Sequence, residues 1–216
     1  MRFVDWLAIY GPSYLQGLAQ TAFVAVWVSL GAIAWGAALL LIRLAGGGWG
    51  ALAVDGYVQL LRNIPVLLGI YLIYFGSPLF GLYWPAVVCG GLAFILQDGA
   101  YVSEIFRGSL KAIDRIQFDA ARSLGLSPWT TFRKVTLPQL LVYSIPALGT
   151  HVILIIKNTS LLSAIAVNEL TMQAKVLTER TAAAYQAFLT AALLYLVLVS
   201  CAEGVFRTAH RAVRWR

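Results

Sequence analysis

Two long stretches of the chain carry no charged side chain, one from Trp6 to Ile42 and one from Asn63 to Gln97. Each exceeds the roughly 20 apolar residues that a helix needs to cross a bilayer. Apolar runs of this kind recur along the chain and predict five helical spans, at about 18–42, 57–75, 84–106, 137–156 and 182–202. Helices are the expected solution because, in hydrocarbon, each backbone N–H and C=O must find its partner within its own segment. Gly46-Gly47-Gly48 breaks the chain after the first span, Gly76-Ser77-Pro78 breaks it after the second, and Pro138 stands at the start of the fourth. The expected fold is an all-α membrane protein, a single five-helix transmembrane domain over 1–216 with a helical loop at 107–136 between spans 3 and 4.

Composition agrees: 60% of the 216 residues are hydrophobic and 12% are charged, too few charges to hydrate the surface of a soluble domain. Arg2 is followed by Asp5 and a long span rather than by a short apolar core with a cleavage site, so no processed leader is expected. The net charge of +7 is spread over the ends of the spans and not along one stripe, which argues for topology and against nucleic acid. With the N-terminus outside, eleven basic residues fall on the cytoplasmic side: Arg43, six between Arg107 and Lys134, and Arg207, Arg211, Arg214 and Arg216. Arg2, Lys175 and Arg180 fall outside, while Arg62 and Lys157 sit at or inside spans. The positive-inside rule therefore puts the C-terminus and the 107–136 loop in the cytoplasm.

That loop is too well punctuated for a mere connector. Asp119-Ala120-Ala121-Arg122-Ser123-Leu124 favours a helix, with Asp119 suited to its N-terminus and Gly125 to the left-handed residue that ends it. Ser127 is an N-cap and Pro128 a first helical residue. Small Ala120 and Ala121 would let this short helix lie close against another surface.

Asp119-Ala120-Ala121, three residues, Gly125, nine residues, Val135, one residue, Leu137-Pro138 resembles the EAA loop of ABC-importer permeases. The segments 100–108, 124–127, 137–139 and 157–161 look like that family's polar amino-acid branch, and Asp119 in place of glutamate keeps the negative charge. Two other segments depart from the branch: Asp114-Arg115-Ile116-Gln117 stands for its Pro-Lys-Gly-Gln-like turn, and Arg62-Asn63-Ile64-Pro65 for Arg-Gly-Thr-Pro. The resemblance implies an importer subunit of the bacterial cytoplasmic membrane that moves a polar amino acid inward by alternating access. It also implies that Asp119, Ala120, Ala121, Gly125 and Leu126 couple to ATPase subunits. A second permease, identical or sister, and an external amino-acid-binding protein would complete the machine. No cofactor is expected on this chain, with ATP and Mg held by the partner ATPase.

Gly46–Gly50 lacks the Gly-Lys-Ser/Thr ending of a phosphate-binding loop, and two histidines and two scattered cysteines, Cys89 and Cys201, offer no catalytic or metal set. A secondary transporter would need more spans and clustered intramembrane acids, and a membrane enzyme a convergent catalytic set. Candidate pathway or gate residues are Arg62, Pro65, Lys157, Asn158, Thr159 and Ser160. Arg62, read near the cytoplasmic start of span 2, either binds a substrate carboxylate or snorkels to headgroups. Pro65 kinks its helix, for movement or for packing. Lys157-Asn158-Thr159-Ser160, near the outer mouth, either meet the substrate or cap a helix end. His151 reads as a packing histidine. Glu104 and Arg107 form a local pair, and Asp98 needs a partner across the bundle, either Arg62 or His151.

Overall fold

A computed structural model describes residues 3–214; Arg2 and Arg216, both counted in the charge asymmetry, lie outside the described residues. The helices among them are α1 (Phe3–Ala45), α2 (Gly47–Asn63), α3 (Val66–Gly76), α4 (Ala86–Lys111), α5 (Arg115–Ser123), α6 (Pro128–Thr131), α7 (Leu137–Asn158), α8 (Leu170–Thr181) and α9 (Ala184–Arg214). Tight 3₁₀ turns occupy Ser77–Phe80 and Thr159–Ile165, and a π turn at Phe132–Thr136 joins α6 to α7. Four helical stretches are long and apolar enough to cross a membrane, and the bent pair α2–α3 makes five when taken together as one span.

The first span reaches back to Phe3 and runs through Pro12, well short of the expected start at residue 18. Packing overrides the proline: Trp6 and Tyr14 are each 1% exposed, and the Tyr14 hydroxyl donates to the Ala187 carbonyl at 2.7 Å. The second span differs most from expectation. A single helix over 57–75 is replaced by α2 and α3, which meet at a bend of 98°. Pro65 has no N–H to donate and pushes Ile64 into an extended conformation, φ −92° and ψ 131°. α2 also starts ten residues earlier than read, because Asp55, a charge inside the helix, is paired with Arg43.

The later spans keep their places with shifted ends. α4 covers 86–111 in place of 84–106, so the polar loop begins after Lys111 and not at 107. α7 extends to Asn158, and helical structure is unbroken from Pro128 to Ile165. α9 covers 184–214 in place of 182–202. α8, an additional helix, was not expected from the pattern.

α1 lies parallel to α4, with glycines where the backbones approach. A Cβ at Gly99 would fall 2.5 Å from the Trp35 side chain and one at Gly36 would fall 2.6 Å from Val102, so small residues are what allow this contact. α7 runs antiparallel to α4, since His151 faces Asp98 and Leu162 faces Gly90. The main core, with Val24, Val28, Ile70, Phe94, Ile155 and Leu162, fills the space between α1, α3, α4 and α7. A second cluster joins α8 to the first residues of α1 and α9 through Trp6, Tyr14, Leu170 and Ala187. The bundle therefore has two ends: one carries the α1–α2 turn, α5, α6 and the end of α9, and the other carries α8 and the Ser77–Phe80 turn.

Candidate functional site

The break between α2 and α3 creates a polar cavity. Ending a helix at mid-bundle leaves carbonyls without intrahelical donors. Gln97 of α4 donates its side-chain amide to the Ile64 carbonyl at 2.7 Å, and the Tyr101 hydroxyl donates to the Arg62 carbonyl at 3.4 Å. Gln97 and Tyr101, four apart, share a face of α4. Asp98 sits beside them, about 18 Å along α4 from Ala86 and so near its midpoint. The cavity measures about 400 Å³ and is lined by 62–66 together with Gln97, Asp98, Tyr101, Leu154 and Asn158.

Arg62 belongs to this mid-depth cavity and not to the start of its span. It lies fifteen residues into α2, roughly 22 Å from Gly47 at 1.5 Å per residue, which corrects the expectation of an interfacial arginine. Its guanidinium stands 4.9 Å from the centre of the Tyr101 ring, a cation–π arrangement. Pro65 and Asn158 line the same cavity. Asn158 is also deeper than expected, because the chain continues through the Thr159–Ile165 turn before leaving the bundle.

Lys157, Thr159 and Ser160 are not brought into the cavity. Lys157 is exposed, and the Thr159 and Ser160 hydroxyls donate to the Ile156 and Lys157 carbonyls at 2.7 and 2.8 Å, finishing α7. Asp98 finds the partner that its isolation on α4 demanded: Oδ1 is 3.1 Å from Nε2 of His151, and the imidazole packs against Tyr101 with ring centres 5.5 Å apart. Gln97 and Tyr101 were not singled out in the sequence, although a glutamine beside an aspartate within an apolar run was the available signal. Nearer the α5 end, Glu104 binds Arg107 and also Arg43, the latter at 3.2 Å, a structural cluster that ties α1 to α4.

The second candidate region is the polar loop. α5 starts four residues before Asp119: Asp114 is its N-cap, accepting from Ile116 N–H at 3.0 Å, so Asp119 is a mid-helix residue and not the helix start. Asp119 pairs on the surface with Arg122 at 2.9 Å. Gly125 has φ +67°, and the N–H groups of Gly125 and Leu126 donate to the carbonyls of Arg122 and Ala121 at 2.9 and 3.1 Å, which closes α5 with a Schellman-type cap. Ser127 then caps α6 by accepting from Thr130 N–H at 3.2 Å. The two alanines point apart: Ala120 is exposed, whereas Ala121 is 3% exposed and packs inside the chain. Ile116 and Leu124, four residues to either side of Ala120, are exposed, as is Trp129 of α6.

Residues 28–215 match the family described as the binding-protein-dependent transport system inner membrane component. The chain is 32% identical to the probable amino-acid ABC transporter permease y4tG of Sinorhizobium fredii, over 91% of this chain and 85% of that one. It is 31% identical to the glutamine transport system permease GlnP of Escherichia coli over 99% of each, and 33% identical to the octopine transport system permease OccQ of Rhizobium radiobacter over 93% and 90%. Among solved structures, an amino acid ABC transporter with histidines superimposes with a TM-score of 0.90 at 28% identity, covering 98% of this chain and 99% of that one. The inward-facing methionine transporter MetNI shares the fold, with a TM-score of 0.78 at 17% identity over 97% of each chain. The chain belongs to the family of binding-protein-dependent transport system inner membrane components.

Proposed function

We propose that this chain carries a polar amino acid inward across the bacterial cytoplasmic membrane, driven by ATP hydrolysis in a partner ATPase. The observation that carries this reading is the polar face at mid-depth. Arg62 and Asn63 are exposed on the isolated chain at a level where hydrocarbon would make an unpaired arginine costly. Such a face belongs against a water-filled pathway, and the pathway is completed by a second permease, identical or sister. Arg62 meets the substrate's α-carboxylate, Asn158 hydrogen-bonds the substrate, and Pro65 marks the point where α2 and α3 move relative to one another. Lys157, Thr159 and Ser160 act at the entrance above the cavity, with the two hydroxyls holding the end of α7.

The basic end of the bundle faces the cytoplasm in this reading, with the N-terminus outside. The exposed side of α5 with Asp119 and Ala120, together with the turn at Gly125 and Leu126, seats the ATPase, and Ala121 anchors that element to the permease. ATP and Mg are held by the partner, and an external binding protein delivers the amino acid to the α8 end. ATP-dependent uptake of glutamine by proteoliposomes that hold the permease, its ATPase and its binding protein tests the pathway. Arg62→Gln is expected to reduce uptake by roughly tenfold or more, the loss of one charge-assisted hydrogen bond, while the ATPase still co-purifies. Unchanged uptake would remove Arg62 from the pathway.

A further inference from the structure

Among the described residues Asp98 is the one carboxylate in the wall of the Arg62 cavity, and His151 stands against only one of its two oxygens. The residue is 5% exposed. His151 Nε2 lies 3.1 Å from Oδ1 but is not aligned with it: neither that nitrogen nor the second carboxylate oxygen, Oδ2, makes a hydrogen bond. Arg62 forms no salt bridge among the described residues, and its guanidinium rests on the Tyr101 ring. Arg62, with no salt bridge among the described residues, and Asp98, with Oδ2 unbonded, thus line a single cavity of about 400 Å³. Charges at membrane depth persist where they pair with one another or with what passes through. The rest of the polar wall, Asn63, Gln97 and Asn158, is uncharged.

We propose that this cavity selects an amino acid whose only charges are its α-ammonium and α-carboxylate. Asp98 takes the ammonium, Arg62 takes the carboxylate, and His151 is a positioning residue that holds Asp98 at the wall. The proposal rests on the reading of the cavity as part of the transport pathway. With both backbone charges answered, a neutral polar side chain meets amide groups that donate and accept hydrogen bonds. A side chain with a third charge meets no counter-ion, and a buried charge without one is strongly disfavoured. The substrate class is therefore the neutral polar amino acids, and acidic and basic ones are rejected.

Equilibrium binding of radiolabelled glutamine, glutamate and arginine to the assembled permease–ATPase complex in nanodiscs reads this site directly. Glutamine is expected to bind more tightly than either of the others by roughly tenfold or more, the worth of one unanswered charge-assisted contact. Glutamate or arginine binding as tightly as glutamine, or none of the three binding, overturns the proposal, and this arm requires no variant. Asp98→Asn is expected to weaken glutamine by roughly tenfold and to narrow the gap between glutamine and glutamate, because the anion that repels a third negative charge is gone. If Arg62→Gln abolishes binding while Asp98→Asn changes nothing, the ammonium site is wrong and the cavity reading stands. If neither substitution changes binding, the amino acid is not held in this cavity and both fall.

Discussion

The side chain of Gln97 hydrogen-bonds the carbonyl of Ile64 at 2.7 Å, so a residue of one helix supplies the donor that a break in another helix lacks. Pro65 removes an N–H just where the chain turns by 98°, and in a bilayer an unanswered carbonyl has no water to turn to. The bond also fixes the end of α2, and with it the position of Arg62.

Replacing Gln97 by leucine keeps the size and removes the donor. The expected cost is about 1–3 kcal/mol, that of a buried acceptor left unsatisfied. Thermal unfolding of the purified protein in detergent measures it. Transport is expected to fall further than stability, since the guanidinium of Arg62 shifts with the end of its helix. A variant that is as stable and as active as the parent would show that the α2–α3 break is held by packing alone.

The α1–α4 contact makes a prediction about size and not about polarity. Trp35 lies over Gly99 so closely that a Cβ would stand 2.5 Å from it. Gly99→Val is expected to destabilise the bundle by about 1–3 kcal/mol, the usual cost of overpacking, and Trp35→Ala introduced with it is expected to restore part of the loss. The amount of folded protein recovered after extraction reads both effects.

Glu169 is wholly buried at the start of α8. Its carboxylate accepts from the N–H groups of Thr171 and Met172 at 2.8 Å each, and from the Tyr195 hydroxyl at 2.6 Å. Burial pushes its pKa above the ordinary glutamate value, and these hydrogen bonds pull the other way without cancelling the rise. With the folded value raised, the folded state binds more protons than the unfolded one in the interval between the two values. Stability from this group is therefore fully present below the unfolded value of about 4.3 and is lost as pH rises through the folded one. Glu169→Gln is expected to flatten that part of the profile of melting temperature against pH, while lowering stability by about 0.5–2 kcal/mol through the weakened cap. A profile of unchanged slope in the variant would assign the dependence to another group.

Much of this architecture is legible in the sequence, and the failures share one cause. The apolar runs, the Gly46–Gly48 break, the left-handed Gly125 and the Ser127-Pro128 helix start all follow from local chemistry. The beginning of α2 does not, because Asp55 is acceptable inside a span only through Arg43, twelve residues away. Nor does the helix through Pro12, which holds because Trp6 and Tyr14 bury themselves against α8 and α9. Pro65 announces a kink, but a bend of 98° requires the donor that Gln97 brings from α4. The polar cavity was half visible: Arg62, Pro65 and Asn158 carried the signal, and Asp98 was marked as needing His151 or Arg62. Gln97 and Tyr101 became part of it only when helix pairing set them opposite the break. The loop between α4 and α7 starts after Lys111 and not at 107, and which of Ala120 and Ala121 is buried is decided by tertiary packing, which spacing alone does not reveal.

That difference between Ala120 and Ala121 gives the most direct test of the whole reading. ATP-driven glutamine uptake is measured in proteoliposomes containing the permease, its ATPase and its binding protein, with Ala120→Arg beside the parent. Ala120 is exposed, so the substitution leaves the fold intact and places a large cation on the face proposed to seat the ATPase. Loss of ATPase association and of uptake, with the permease still inserted and still binding glutamine, is the expected result. Uptake and ATPase association at the parental level would contradict the assignment of α5 as the element through which ATP hydrolysis drives transport.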